Sequence, residues 1–246
     1  MDIEEIKRIL KDYDGPDMNI MEVCGSHTEA VAKYGIPSLL SPKLHLLSGP
    51  GCPVCVTTSS YIDRLIALSL EENTCVVTFG DLIRVPGSKK SLSQAKGEGA
   101  RVEMVYSPMD ILSLAEKEPE TTFVFAAVGF ETTTPVYAML METVCGVTEN
   151  VSGAARMERA QSGKYQNIRL LTSIKTMPEV IDHLMKNGAP IDGFLAPGHV
   201  SVVTGSRVYE TIAERYRIPF GVSGFRAEEL LVAIYGIVSH RGQGIV

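Results

Sequence analysis

The sequence lacks the features that mark several large classes of protein. Its 246 residues contain no apolar run approaching the roughly 18 residues needed to cross a bilayer, and the charged, amphipathic segment 3–10 is unlike a signal peptide. The formal net charge of −6 does not suit a protein that binds the nucleic-acid backbone. We therefore expect a cytoplasmic protein whose partners include neither membranes nor nucleic acids.

Common catalytic and nucleotide-binding motifs are also missing. The chain has no Walker loop, no GxGxxG segment after a strand and no GxSxG elbow, so its motifs give no support to nucleotide binding or serine hydrolysis. Cysteine is scarce, because five residues are too few for a secreted disulfide scaffold of this length. The cysteines are therefore expected to be reduced thiols, a redox pair or metal ligands.

What the sequence does contain is the pattern of a packed α/β protein. Hydrophobic residues make up 45% and charged residues 21% of the chain. Short β-branched runs alternate with helical patterns, which predicts βαβ units and a mainly parallel sheet. The predicted strands cover residues 19–23, 44–47, 75–79, 102–106, 122–128, 168–172, 193–196 and 220–222.

The last four predicted strands repeat the turn residues of the first four. The sequence therefore predicts two tandem, similar α/β domains with mainly parallel sheets flanked by helices, residues 1–117 and 118–246, which meet near the charged stretch 116–120. A single eight-stranded sheet is the alternative. Residues 85–99 and 146–163 are predicted to be connecting loops.

Three cysteines follow predicted strands of the first domain. Cys24 comes after the first strand, and Cys52 and Cys55 come after the second. The loops at the carboxyl ends of parallel strands form the binding crevice of an open sheet, and sequential strands are commonly neighbours. A helix that begins after each loop would aim its amino-terminal amides at the sulfur. These thiols are therefore expected to be exposed, close together and reactive or metal-ligating.

The Cys52-x-x-Cys55 spacing is the most specific chemical motif in the chain. Residues three apart share one face at the start of a helix, where Pro53 suits the first position, so the two thiols can form a disulfide or chelate a soft metal. His27 lies three residues after Cys24. Together the two pairs also make a four-ligand set of three cysteines and one histidine for zinc.

Two polar side chains follow strands of the second domain, in the segments 129–135 and 197–201. Glu131 is either part of a helix-capping loop or a proton acceptor or partner-docking group. His199 is either a ligand or proton donor or a structural histidine. Cys75 and Cys145, by contrast, fit the packing of a core.

Four segments, in the same order and spread over most of the chain, together resemble the HypD family of hydrogenase maturation proteins. They are MEVCGSHT at 21–28, SGPGCPVCVT at 48–57, GFETTTP at 129–135 and PGHVS at 197–201. The resemblance implies a scaffold on which the Fe(CN)2CO group of [NiFe]-hydrogenase is assembled. It implies a HypC-type small chaperone and a HypE-type cyanide donor as partners.

The resemblance also implies roles for individual residues. Cys24 would hold the iron as a thiolate, shared with a cysteine of the small chaperone, and His27 would assist in that site. Cys52 and Cys55 would be the redox-active pair. Thiolates suit iron that carries cyanide and carbon monoxide, and a nearby dithiol supplies electrons. Glu131 and His199 lie in the matched segments and are the remaining candidates for catalytic roles.

Family members continue into a cysteine-rich module that binds a [4Fe–4S] cluster, whereas no cysteine follows Cys145 here. The resemblance therefore implies that cluster for full-length relatives and leaves this sequence without its ligands, as a short homologue or a fragment. The residues themselves leave two alternatives open. One is an enzyme, a general thiol–disulfide oxidoreductase that uses Cys52 and Cys55, and the other is a structural zinc protein.

Overall fold

The computed structural model describes residues 2–146 and 164–241 and contains α-helices and parallel strands. The strands are β1 Met18–Glu22, β2 Leu44–Ser48, β3 Thr74–Thr78, β4 Val102–Met104, β5 Thr122–Gly129, β6 Ile168–Ile174, β7 Gly193–Pro197 and β8 Phe220–Ser223. The helices are α1 Ile3–Lys11, α2 Gly25–Lys33, α3 Ser59–Ser69, α4 Leu92–Gly97, α5 Asp110–Lys117, α6 Thr134–Val144, α7 Met177–Lys186, α8 Gly198–Thr204, α9 Glu210–Tyr216 and α10 Ala227–Ser239. None of these helices has the length and apolarity that a bilayer span requires.

The strands form two separate four-stranded sheets. Their orders are β2-β1-β7-β8 and β4-β3-β5-β6, and all described pairings within them are parallel. All eight predicted strands are present, with bounds that differ by about two residues or fewer. The α/β class and the presence of two α/β units are therefore confirmed, and the single eight-stranded sheet is wrong.

The boundary between the two units differs from the prediction. The first unit combines Met1–Cys52 with Lys175–Val246, and the second unit is Pro53–Ile174. The predicted tandem division at residue 117 is therefore wrong. The pairing of the strands explains why the boundary differs. Strand β7 pairs with β1, with Ile20 opposite Gly193, and the Val23 N–H donates to the Leu195 carbonyl at 3.2 Å. The segments 197–201 and 21–28 consequently share one unit.

The core of the first unit lies between its sheet and the helices α1 and α10. Helix α1 begins at a cap in which the Asp2 carboxylate accepts from the Glu5 N–H at 2.9 Å, and it buries Ile6 and Leu10. Helix α10 buries five apolar side chains, namely Leu230, Leu231, Ala233, Ile234 and Ile237. This packing anchors the strands from which the cysteine loops leave.

In each sheet, the order in which the chain adds strands reverses between the two central strands. In the first unit the chain runs from β1 outward to β2 and from β7 outward to β8, and β1 and β7 are neighbours. In the second unit β3 and β5 are the corresponding neighbours. Open α/β sheets bind ligands at the carboxyl ends of strands at such a reversal point. Cys24 and Gly198 follow the central strands of the first unit, and Phe79 and Phe130 follow those of the second.

Helix α4 lies inside the segment 85–99, which the sequence predicts as a loop, so that prediction is wrong in part. The Ser91 hydroxyl accepts from the Gln94 N–H at 3.3 Å, and the Gln94 side chain accepts from the Ser91 N–H at 2.8 Å. This reciprocal pair is a capping box, a helix-start pattern hidden here by the Gly- and Lys-rich composition. Of the second predicted loop, residues 147–163 lie outside the described residues.

Candidate functional site

Cys24 lies at the carboxyl edge of the first sheet, between β1 and α2. It is the cap residue of α2, with extended backbone (φ −152°, ψ 125°), and its carbonyl accepts from the His27 N–H at 2.9 Å. The predicted position between a strand end and a helix start is therefore confirmed. The prediction of an exposed thiol is wrong, because only 7% of Cys24 is exposed.

The backbone of Gly51 packs directly on Cys24. A Cβ at Gly51 would lie 2.6 Å from the Cys24 Cα and 2.3 Å from the Gly25 nitrogen, which are distances that no side chain tolerates. The loop is fixed in place because the Gly49 N–H donates to the Glu22 carbonyl at 2.8 Å. Only glycine fits at position 51, and the next residue in the chain is Cys52.

Cys52 and Cys55 do not begin a helix, so that part of the prediction is wrong. Residues 53–56 form a turn, which the Thr57 hydroxyl closes by donating to the Pro53 carbonyl at 2.9 Å. Helix α3 begins later, at a cap made by the Thr58 hydroxyl. Cys52 is half-buried and is the last residue of this part of the first unit, whereas Cys55 is exposed and belongs to the second unit.

Glu22 is a buried acid beside Cys24 to which the sequence assigned no role. It is 3% exposed, and its carboxylate accepts from the Cys24 N–H at 3.3 Å and from the Thr28 hydroxyl. Burial raises its pKa above the ordinary value of 4.5, although hydrogen bonds from these two residues and from Ser48 oppose that change. A signal was present in the sequence, because Glu22 occupies an inward position of β1 in alternation with Met18 and Ile20.

Replacing Glu22 with glutamine is expected to remove one pH-dependent part of the folding stability. The raised pKa means that folded protein binds this proton more tightly than unfolded protein. The stabilisation is therefore complete below the unfolded pKa and is lost as the pH rises through the folded pKa. Urea unfolding of both proteins between about pH 4 and pH 8 should show wild type losing stability relative to Glu22→Gln as pH rises.

The control for this measurement is Ser41→Ala. Ser41 is a buried, uncharged residue of the same unit, and its hydroxyl donates to the Tyr13 carbonyl at 2.7 Å. Its stability difference from wild type should not change over the same pH range. A constant difference between wild type and Glu22→Gln, or a wild type that gains stability relative to Glu22→Gln as the pH rises, would contradict the raised pKa.

His27 is fully buried in the first turn of α2. Its Nε2 lies 3.1 Å from the Gly224 carbonyl and 3.3 Å from the Ser223 carbonyl, so Nε2 carries a hydrogen and donates. Burial lowers the pKa of His27 and favours the neutral ring. Among the described residues Nδ1, which then has a lone pair, has no hydrogen-bond partner. Donation by one ring nitrogen to a carbonyl is also the arrangement that orients metal-binding histidines.

His199 lies on the neighbouring strand end, as the second residue of α8. It is exposed, and its ring centroid is 5.5 Å from that of Phe225, whose ring is in turn 5.1 Å from His27. The first unit thus brings Cys24, His27 and His199 to the reversal point between β1 and β7. Glu131 follows β5 and belongs to the second unit.

A cavity of about 510 Å³ opens at the carboxyl ends of β7 and β8. Its lining contains three serine residues and the backbone of Ser223 and Gly224, whose carbonyls accept from the His27 ring. The lining residues are Gly198, Ser201, Val202, Ser206, Val222, Ser223 and Gly224.

Within residues 2–146 and 164–241, no three side chains of His, Cys, Asp or Glu are arranged as a group that could hold a metal ion. The predicted four-ligand zinc set of Cys24, His27, Cys52 and Cys55 is therefore not assembled in the described part of the chain. Cys75 is buried in β3, and burial raises its pKa to about 11, which confirms its predicted place in the core. Cys145, at the end of α6, is half-buried.

Comparison with known proteins gives consistent results over the whole chain. A family model named HypD, described as "Hydrogenase formation hypA family", matches residues 2–245. The protein called hydrogenase maturation factor HypD is 39% identical in Rhodobacter capsulatus over 92% of this chain and 56% of that protein. In Escherichia coli the identity is 39% over 91% and 56%, and in Cupriavidus necator it is 37% over 94% and 59%. The chain thus spans a little more than half the length of these relatives. It belongs to the HypD family of hydrogenase formation proteins.

Proposed function

We propose that this chain holds iron through the Cys24 thiolate while the iron acquires cyanide and carbon monoxide ligands for [NiFe]-hydrogenase. The observation that carries the proposal is the position of Cys24. It lies at the reversal point of the first sheet, caps a nine-residue helix and is covered by the loop that leads to Cys52. The iron is the substrate of this site. It binds without cyanide or carbon monoxide and is released with these ligands.

The surroundings of Cys24 suit an iron group with anionic ligands. Thiolate sulfur is a soft donor that suits low-spin iron. Cyanide brings negative charge, which the amino-terminal amides of α2 attract. Low exposure of Cys24 limits access of water to the iron, and the lone pair on His27 Nδ1 provides a buried acceptor or ligand in the same turn.

The remaining residues have proposed roles in electron and proton transfer. Cys52 and Cys55 would supply two electrons by losing two protons and forming a disulfide. His199, as an exposed imidazole at the same sheet edge as Cys24, would donate protons, and Glu131 would accept protons or contact a partner. A HypC-type chaperone would contribute a second thiolate to the iron, and a HypE-type protein would supply cyanide.

Anaerobic co-expression of this chain with a HypC-type chaperone and a HypE-type cyanide donor tests the proposed function. We expect the chain to co-purify with the chaperone and with iron, and we expect the infrared spectrum to contain cyanide and carbon monoxide stretching bands. A complex that forms without those bands would contradict the assembly role. Failure of the two proteins to co-purify would contradict the proposed partner.

A further inference from the structure

The residue before Cys52 touches the backbone of Cys24, and this contact limits the distance between the two cysteines. A Cβ at Gly51 would lie 2.6 Å from the Cys24 Cα and 2.5 Å from the Cys24 carbonyl carbon. Since consecutive Cα atoms are 3.80 Å apart, the Cα atoms of Cys24 and Cys52 are separated by about 8 Å at most. The separation lies in the range of roughly 4.4–6.8 Å that disulfides occupy when the angle between the Cα atoms of Cys24, Gly51 and Cys52 is about 70–120°.

The contact is held by the first unit itself. Glu22 and Ser48 are paired across β1 and β2, so the two loops leave adjacent strands at the same level. The Glu22 carbonyl accepts from the Gly49 N–H, and the Glu22 carboxylate accepts from the Cys24 N–H. One residue therefore binds both cysteine loops, and folding of this unit keeps the two cysteines at a high effective concentration.

We propose that Cys24 and Cys52 form a disulfide under oxidising conditions and that this bond closes the iron site. With oxidised glutathione as the oxidant, the two thiols become one disulfide and two molecules of reduced glutathione are released. Alternatively, the Cys24 thiolate attacks the Cys52 sulfur of a Cys52–Cys55 disulfide, and Cys55 leaves as a thiolate that takes up the proton lost by Cys24.

The consequence for iron rests on the proposed function. In the disulfide the Cys24 sulfur is no longer a thiolate, so it has no anionic donor to offer to iron. Reduction by a dithiol restores both thiols. The site would therefore accept iron only in reduced protein, and Cys52 would act on Cys24 directly as well as with Cys55.

Disulfide mapping in the variant Cys55→Ser tests the bond. Trypsin places Cys24 in the peptide 12–33 and Cys52 in the peptide 44–64, so a link between these peptides identifies the Cys24–Cys52 disulfide once Cys55 is absent. The variant is equilibrated with a glutathione buffer, quenched with acid, alkylated and digested. The same variant unfolded in urea is the control, because a cross-link that forms there does not depend on the folded structure.

We expect the cross-linked peptide to be at least about tenfold more abundant in folded protein than in unfolded protein at the same glutathione ratio, because folding raises the effective concentration. In the double variant Cys52→Ser, Cys55→Ser, Cys24 should be either alkylated or joined to glutathione. Equal cross-linking in folded and unfolded protein, or none in folded protein, would overturn the proposed bond.

Ferrous iron alone serves as the probe for the second part. Reduced Cys55→Ser is expected to bind it, and the oxidised, cross-linked form is expected to bind at least about tenfold less, since a thiolate donor is lost. Equal binding by both forms would overturn closure of the site. Absence of iron in the reduced form, with the cross-link still formed on oxidation, would instead count against the proposed function.

Discussion

Gly51→Ala is expected to displace the loop before Cys52 and to lower the free energy of unfolding by about 2–3 kcal/mol. The added methyl carbon would lie 2.3 Å from the Gly25 nitrogen and 2.6 Å from the Cys24 Cα. Both are backbone atoms at the start of α2, so neither can rotate away as the end of a flexible side chain can. Relief of the clash therefore requires the two cysteine loops to separate.

Gly236→Ala is the matched control for this substitution. Gly236 lies inside α10 of the same unit, and a Cβ there meets nothing within 4 Å. Alanine is the better helix former, so this variant should be more stable than wild type by about 1 kcal/mol. Urea unfolding followed by circular dichroism measures both changes. A Gly51→Ala protein as stable as wild type would contradict the close packing of the two loops.

The strands were predictable because each leaves a local pattern in the sequence. Apolar, β-branched runs bounded by turn residues are recognised within three to seven residues in this sequence, and all eight such runs are strands in the structure. Helix α4 left a local pattern too, the Ser91 to Gln94 capping box, but its helical segment is only six residues long. Composition outweighed that pattern in the sequence-based prediction.

The division into units was not predictable from such patterns. A repeat shows that two groups of βαβ units exist, but it does not show which central strands pair. Pairing of β1 with β7 depends on contacts between residues far apart in the chain, such as Ile20 with Gly193. The same holds for His27, whose burial and ring orientation depend on the Ser223 and Gly224 carbonyls.

The chemistry of the site was partly predictable. The position of Cys24 after a strand and before a helix follows from local pattern, and so does its proximity to the loop of Cys52, because sequential parallel strands are commonly neighbours. The turn at Cys52 was missed because the Thr57 side chain closes it in competition with a helix start. The role of Glu22 was not predicted because it depends on hydrogen bonds that form only in the folded unit, although an acid at an inward strand position signals a specific role.

Cys24→Ala is expected to abolish iron binding. The substitution removes the thiol that the first unit places at the cap of α2, at the carboxyl end of the central strand β1. Alanine is smaller than cysteine and is tolerated at a buried position, so the protein should still fold. Circular dichroism and urea unfolding verify that.

Cys75→Ala is the matched control. Cys75 is also buried, lies in β3 of the second unit and has a pKa raised to about 11 by burial, so it stays a thiol and packs in the core. The same atoms are removed in both variants. Loss of iron in both would indicate a general effect of losing a buried cysteine.

The most direct measurement is therefore the infrared spectrum and iron content of the complex with the HypC-type chaperone, compared between wild type, Cys24→Ala and Cys75→Ala. We expect iron with cyanide and carbon monoxide bands in wild type and Cys75→Ala, and neither iron nor bands in Cys24→Ala. A folded Cys24→Ala protein that retains iron with those bands would contradict the claim that Cys24 holds the iron.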